Sequence, residues 1–177
     1  MTADNQGEAA RIALLNEELR LANSYSRLPI LLEMARYLED DKWLQLLGKE
    51  WESCDNIGHH IDGLMRSPLA HAERPIRSMM TSSEMVKLTC LPDTVTIYRG
   101  CYAINKWGLS WSLSQTIAES FPFLNRYFRG DRPLLVTAQV RRQDIIAVKL
   151  DRDESEVIAY RPKHISTRRI RSSKTAA

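Results

Sequence analysis

Cysteine is scarce in this 177-residue chain: Cys54, Cys90 and Cys101 are odd in number and scattered. That excludes a disulfide-framed secreted scaffold and predicts reduced thiols in a cytoplasmic compartment. No apolar run approaches the roughly 18 residues that a membrane helix needs, so no membrane partner is expected. The first 20 residues are polar and amphipathic, without the basic-then-apolar layout of a secretion signal. Internal repeats and low-complexity segments are absent. Cys54, His59 and His60 lack the second spaced cluster that would complete a tetrahedral metal site, so no metal is expected. Gly108-Leu109-Ser110 lacks the second glycine of a nucleophile elbow, which excludes a serine hydrolase of that kind.

What is present is an ordinary soluble composition, 44% hydrophobic and 27% charged, enough for one core with a small appended subdomain. Net charge is +3 but unevenly spread. Residues 161–177 carry Arg161, Lys163, Arg168, Arg169, Arg171 and Lys174 and no acid, leaving 19 basic against 22 acidic groups in the first 160 residues. Such a tail either touches nucleic acid or an acidic partner, or is a frayed, solubilising terminus.

The first half reads as helical. Ile12, Leu14, Leu15, Leu19 and Leu21 recur near helical spacing. A second helix is predicted from Pro29 through Leu31, Leu32, Met34, Ala35 and Leu38. Glu39-Asp40-Asp41 is either its solvated face or a short break, after which Trp43, Leu44, Leu46, Leu47 and Trp51 resume the stripe. Gly58, Gly63 and Pro68 predict a short helix within irregular chain over 56–75. Ser82 or Ser83 is the expected cap of a further helix, stopped by Pro92.

From Pro92-Asp93 the pattern changes to strands. Thr94-Val95-Thr96-Ile97-Tyr98 alternates and is rich in β-branched and aromatic residues. In Ser110-Trp111-Ser112-Leu113-Ser114 an extended chain puts the serines on one face, and Ser114 is placed to cap a helix through Ile117, Ala118 and Phe121. Residues 124–133 read as a basic-aromatic loop, and 134–140, 145–150 and 156–160 as strands, the last of them before Pro162. Helices first and segregated strands second is the α+β pattern. The boundaries predicted are a helical region at 1–92, a β core at 93–165 and a basic tail at 166–177.

The charged pair Glu154-Ser155-Glu156 opens that last strand. At i and i+2 its carboxylates share a face and repel, which a plain strand start does not need. Either the pair is solvated at a strand end or it does acid/base and charge-stabilising work. Taken in order, Tyr98-Arg99-Gly100 ending a strand, Ser110-Trp111-Ser112, and Glu154-Ser155-Glu156-Val157-Ile158 resemble the arginine–serine–glutamate class of mono-ADP-ribosyltransferases. The resemblance covers residues 93–160, with Trp111 where that family's toxins usually carry Thr.

The resemblance implies a two-sheet mixed or antiparallel β core and NAD as co-substrate; the sequence has no Gly-rich phosphate loop with a Lys, so NAD would not be held by a dinucleotide fold. The resemblance implies transfer of ADP-ribose to a side chain, arginine by the Glu at 154, of a bacterial host protein, as in compact phage and prophage enzymes acting in the host cytoplasm. Glu156 would stabilise the oxocarbenium-like ribose as nicotinamide leaves, and Glu154 would position or activate the acceptor. Ser110 would orient Glu156, and Arg99 would hold the pyrophosphate with its donor fork. Gly100 would let the backbone approach the nicotinamide amide. Ser112, Arg126, Tyr127 and Arg129 would complete the NAD contacts. The alternative is an inactive module of the same fold, working through protein contacts or through the basic tail on nucleic acid.

Overall fold

Asn23 sets the turn that leads into the second helix. Its side-chain carbonyl accepts the backbone N–H groups of Tyr25 and Ser26, both at 2.9 Å, and the chain turns into a helix behind it. In this computed structural model, residues 3–124, 127–150 and 155–170 are described. They form an α+β protein of six α-helices and one six-stranded antiparallel sheet. The chain divides into two compact units between Met80 and Thr81. No helix among the described residues is long and apolar enough to cross a membrane.

The first unit holds α1 (Ala3–Leu21), α2 (Arg27–Met34), α3 (Asp40–Glu50) and the single turn α4 (Ile61–Leu64), with 3₁₀ turns between them. The acidic run is a break: α2 stops at Met34, Glu39 is the N-cap of α3, and Asp40 and Asp41 sit in its first turn, where the helix dipole favours them. Leu28, Leu31, Trp43, Leu44, Leu47 and Trp51 are all buried. Trp43 settles its indole N–H on the Leu31 carbonyl at 2.6 Å, which ties α3 to α2. A Cβ on Gly48 would stand 2.3 Å from the Met79 carbonyl oxygen, so glycine is required where α3 meets the 3₁₀ turn Arg77–Met79.

In the second unit α5 (Ser82–Thr89) is capped by Thr81, one residue ahead of the serines expected. Thr81 Oγ1 accepts the Glu84 N–H at 3.3 Å while the Glu84 carboxylate accepts the Thr81 N–H at 2.7 Å, a reciprocal cap that Ser82 is out of step to make. The same carboxylate meets Lys149, which groups α5 with the strands.

The strands are β1 (Thr94–Cys101), β2 (Ser110–Ser112), β3 (Leu134–Arg141), β4 (Ala147–Lys149), β5 (Glu156–Ile158) and β6 (Lys163–Arg169), in the order β4-β5-β2-β1-β3-β6. β1 and β3 pair along their whole length, from Thr94 opposite Arg141 to Cys101 opposite Leu134. β1 and β2 meet at one pair, Tyr98 opposite Ser112. Between β2 and β3, α6 (Gln115–Ser120) begins at Ser114, whose hydroxyl accepts the Ile117 N–H at 3.3 Å, as expected. Ala118 of α6 packs with Leu135, Ile170, Tyr98 and Phe123.

The strands do not end before Pro162. β6 pairs with β3 inside the basic stretch, so residues 163–169 belong to the sheet rather than to a frayed terminus. Every residue of β6 is exposed. An edge strand with no buried face carries no apolar alternation, and hydrophobic patterning is blind to it. Arg161, at φ 49°, supplies the turn that leads into it.

Candidate active site

Three sequence-distant segments meet at the middle of the sheet. β2 lies between β1 and β5, so the strand carrying Arg99, the strand carrying Ser110 and Ser112, and the strand opened by Glu156 are immediate neighbours. Ser112 stands directly opposite Glu156, and Ser110 opposite Ile158. Alternation then puts Ser110, Ser112 and Glu156 on one face of the sheet, with Trp111 and Val157 buried on the other. Ser112 is buried, and its hydroxyl accepts the Ser114 N–H at 3.0 Å, so it also fixes the turn into α6. Ser110 and Glu156 are half-buried.

Arg99 is held by backbone rather than by a carboxylate. Its Nε donates to the Asn105 carbonyl at 3.3 Å and one terminal nitrogen donates to the Ser110 carbonyl at 2.5 Å. The guanidinium occupies the space that a side chain at residue 108 would take: a Cβ there would stand 2.4 Å from one nitrogen and 2.5 Å from the central carbon. The 103–108 connection is itself braced. Asn105 accepts the Tyr102 N–H at 2.8 Å, Trp111 donates to the Gly108 carbonyl at 3.1 Å, and Tyr102 donates to the Pro122 carbonyl at 2.6 Å.

Burial lowers the Arg99 guanidinium from its ordinary value, countered by the negative charge that Cys101, Glu156 and Tyr127 can carry. A guanidinium remains cationic through such a shift. The cation is therefore partly stripped of water, fixed in orientation and coupled electrically to Glu156. The nearby Cys101 thiol is pushed up by burial, which the charges of Arg99 and Lys106 only partly offset, so it is no nucleophile near neutral pH.

Gly100 has a structural demand of its own: a Cβ there would stand 1.7 Å from the Ala118 carbonyl oxygen. Its missing side chain admits α6. Tyr127 is half-buried with its ring tilted against Phe121, centroids 5.8 Å apart. Arg129 lies exposed in the following loop. Glu154 and Arg126 lie outside the described residues. The strand patterns did not reveal Asn105 and Gly108, which seat Arg99. Their only signal was an Asn and a Gly three apart in a strand connection, which reads as an ordinary turn.

An oriented, desolvated arginine beside a serine strand and a carboxylate can bind a dianionic phosphate at one end and stabilise a developing cation at the other. Comparison with protein-family models, curated proteins and solved structures returns no match for this chain.

Proposed function

We propose that the protein is a mono-ADP-ribosyltransferase that transfers ADP-ribose from NAD to a protein side chain with release of nicotinamide. The observation that carries this reading is the adjacency of Arg99, the Ser110–Ser112 strand and Glu156 on β1, β2 and β5, with Arg99 fixed by the Ser110 carbonyl. Arg99 takes the pyrophosphate. Glu156 faces the ribose, where its charge is worth most as the glycosidic bond to nicotinamide breaks and positive charge develops on the sugar. The Ser110–Ser112 face orients that carboxylate. Glu154 takes the acceptor, an arginine by the carboxylate's fit to a guanidinium, and a bacterial host protein is the acceptor class.

The division of the core into two sheets belongs to the same proposal. It is supported by the single pair, Tyr98 opposite Ser112, that joins β4-β5-β2 to β1-β3-β6. Beyond that pair the Ser110 carbonyl accepts from Arg99.

The test is incubation with labelled NAD and a bacterial lysate. A labelled protein band and free nicotinamide are expected, with loss of about 10²-fold or more in Glu156→Gln, the scale of one transition-state electrostatic contact. Glu154→Gln is expected to cut transfer while sparing NAD hydrolysis. No labelled band, no nicotinamide and no NAD-dependent thermal shift would overturn the reading.

The exposed basic edge of β6, with Lys163 and Arg169, favours a second reading: a binding module on the same fold. It predicts nucleic-acid binding that weakens with salt and in the double variant Lys163→Glu/Arg169→Glu, with no turnover of NAD.

A further inference from the structure

Across β4 from the carboxylate assigned to the ribose stands a buried lysine. Lys149 lies directly opposite Glu156 in the β4–β5 register. Such a pair shares one face of the sheet, with Cβ atoms about 5 Å apart. The Lys149 Nζ is 3.1 Å from the Glu84 carboxylate, and both side chains are only 7% exposed. Glu84 is held in turn by two backbone N–H groups, Thr81 at 2.7 Å and Leu150 at 3.3 Å. Leu150 is the first residue after β4, so the first turn of α5 is fastened to the root of the β4–β5 hairpin that presents Glu156.

We propose that Glu84 is the counter-ion that keeps the buried Lys149 cation from weakening the charge of Glu156. The proposal rests on the transferase reading for its role and on the ion pair and register for its geometry. The neighbours of Lys149 on β4, Ala147 and Val148, are apolar and fully buried. An apolar residue at 149 would meet the packing need, since buried ion pairs are frequently replaced by hydrophobic residues without loss of stability. The lysine therefore supplies charge, while Glu84 both balances it and fastens α5 through the Thr81 and Leu150 N–H groups. A lone cation across from Glu156 would oppose a cationic transition state on the ribose. Glu84 cancels that cation and leaves the charge of Glu156 to act. The charged groups that bear on Glu156 are Lys149 from β4, with Glu84 of α5 behind it, and Arg99 from β1. In the sequence the connecting loop adds Asp151, Arg152, Asp153 and Glu154.

The experiment follows the Glu156 carboxyl carbon by NMR as a function of pH, without NAD, in wild type, Lys149→Met, Glu84→Gln and the double variant. Removing the cation makes Glu156 hold its proton to higher pH, so Lys149→Met moves its midpoint up by about one pH unit. Glu84→Gln uncovers the cation and moves the midpoint down, and the double variant returns near wild type. In parallel, Glu84→Gln lowers kcat about tenfold with KM for NAD little changed, and the double variant recovers it. Opposed shifts are not what a purely structural role produces. Shifts of the same sign, or none, overturn the proposal. If a single variant fails to fold, the double variant decides: a midpoint displaced by about one unit or more overturns it. Opposed shifts in a protein that never turns over NAD would keep the charge coupling and discard the transferase reading. Turnover without those shifts would do the reverse.

Discussion

The Arg99 guanidinium and Gly108 compete for one space: a Cβ on residue 108 would lie 2.4 Å from a terminal nitrogen of Arg99. Glycine at 108 is the floor on which the cation lies, and the Asn105 and Ser110 carbonyls set its direction. Gly108→Ala pushes against the end of a flexible side chain, so the fold survives and the guanidinium tilts. On the transferase reading, the affinity for NAD falls by about tenfold or more, the loss expected when a charge-assisted contact is misaimed. Calorimetric titration with NAD measures it. Unchanged affinity would remove Arg99 from the phosphate site.

Gly100→Ala meets backbone instead, with the new Cβ 1.7 Å from the Ala118 carbonyl. Helix α6 has to move as a body. We expect destabilisation of about 3 kcal/mol, at the upper end of overpacking costs, read from the urea midpoint. A loss no larger than that of Gly108→Ala would mean that α6 is free to slide.

Ser114→Ala removes the acceptor for the Ile117 N–H and leaves the start of α6 uncapped. The expected cost is about 1 kcal/mol, and Ser114→Asp recovers most of it because a carboxylate caps equally well. Equal loss in both variants would point to packing of Ser114 rather than capping. Thermal denaturation of the three proteins decides between these.

Alkaline pH tests the first unit. Burial pushes the Cys54 thiol from 9.0 up to about 12, against a smaller lowering by the charge of Arg27. Its Sγ also lies 3.3 Å from the Glu50 carbonyl, a contact that needs the proton. A thiol that holds its proton more tightly when folded contributes stability fully present below pH 9.0 and lost as pH climbs towards about 12. Between those limits the urea midpoint of wild type falls more steeply than that of Cys54→Ala. Parallel slopes would show that Cys54 is not the group responsible.

Wherever a segment buries one face, its pattern was readable from the residues. Thr94–Tyr98 alternates because β1 buries Val95 and Ile97, and the helical stripe around Trp43 and Leu47 marks the buried side of α3. Ser114 announced α6 because capping is local chemistry. The order Arg99, Ser110-Trp111-Ser112, Glu156 was equally visible, since each is a fixed residue type beside a recognisable strand.

Other features depended on partners far along the chain. β6 has no buried face, so only its pairing with β3 makes it a strand. Thr81 became the cap of α5 in place of Ser82 or Ser83 because Glu84 must face both Thr81 and Lys149. Gly108 and Asn105 were turn residues until Arg99 came to lie on them. Local pattern and capping determined the helices, most strands and the candidate residue types. Strand order, the pair Ser112–Glu156, the seat of Arg99 and the balance of Glu84 with Lys149 were decided only by tertiary structure, because each is a meeting of segments whose separation in sequence encodes no distance.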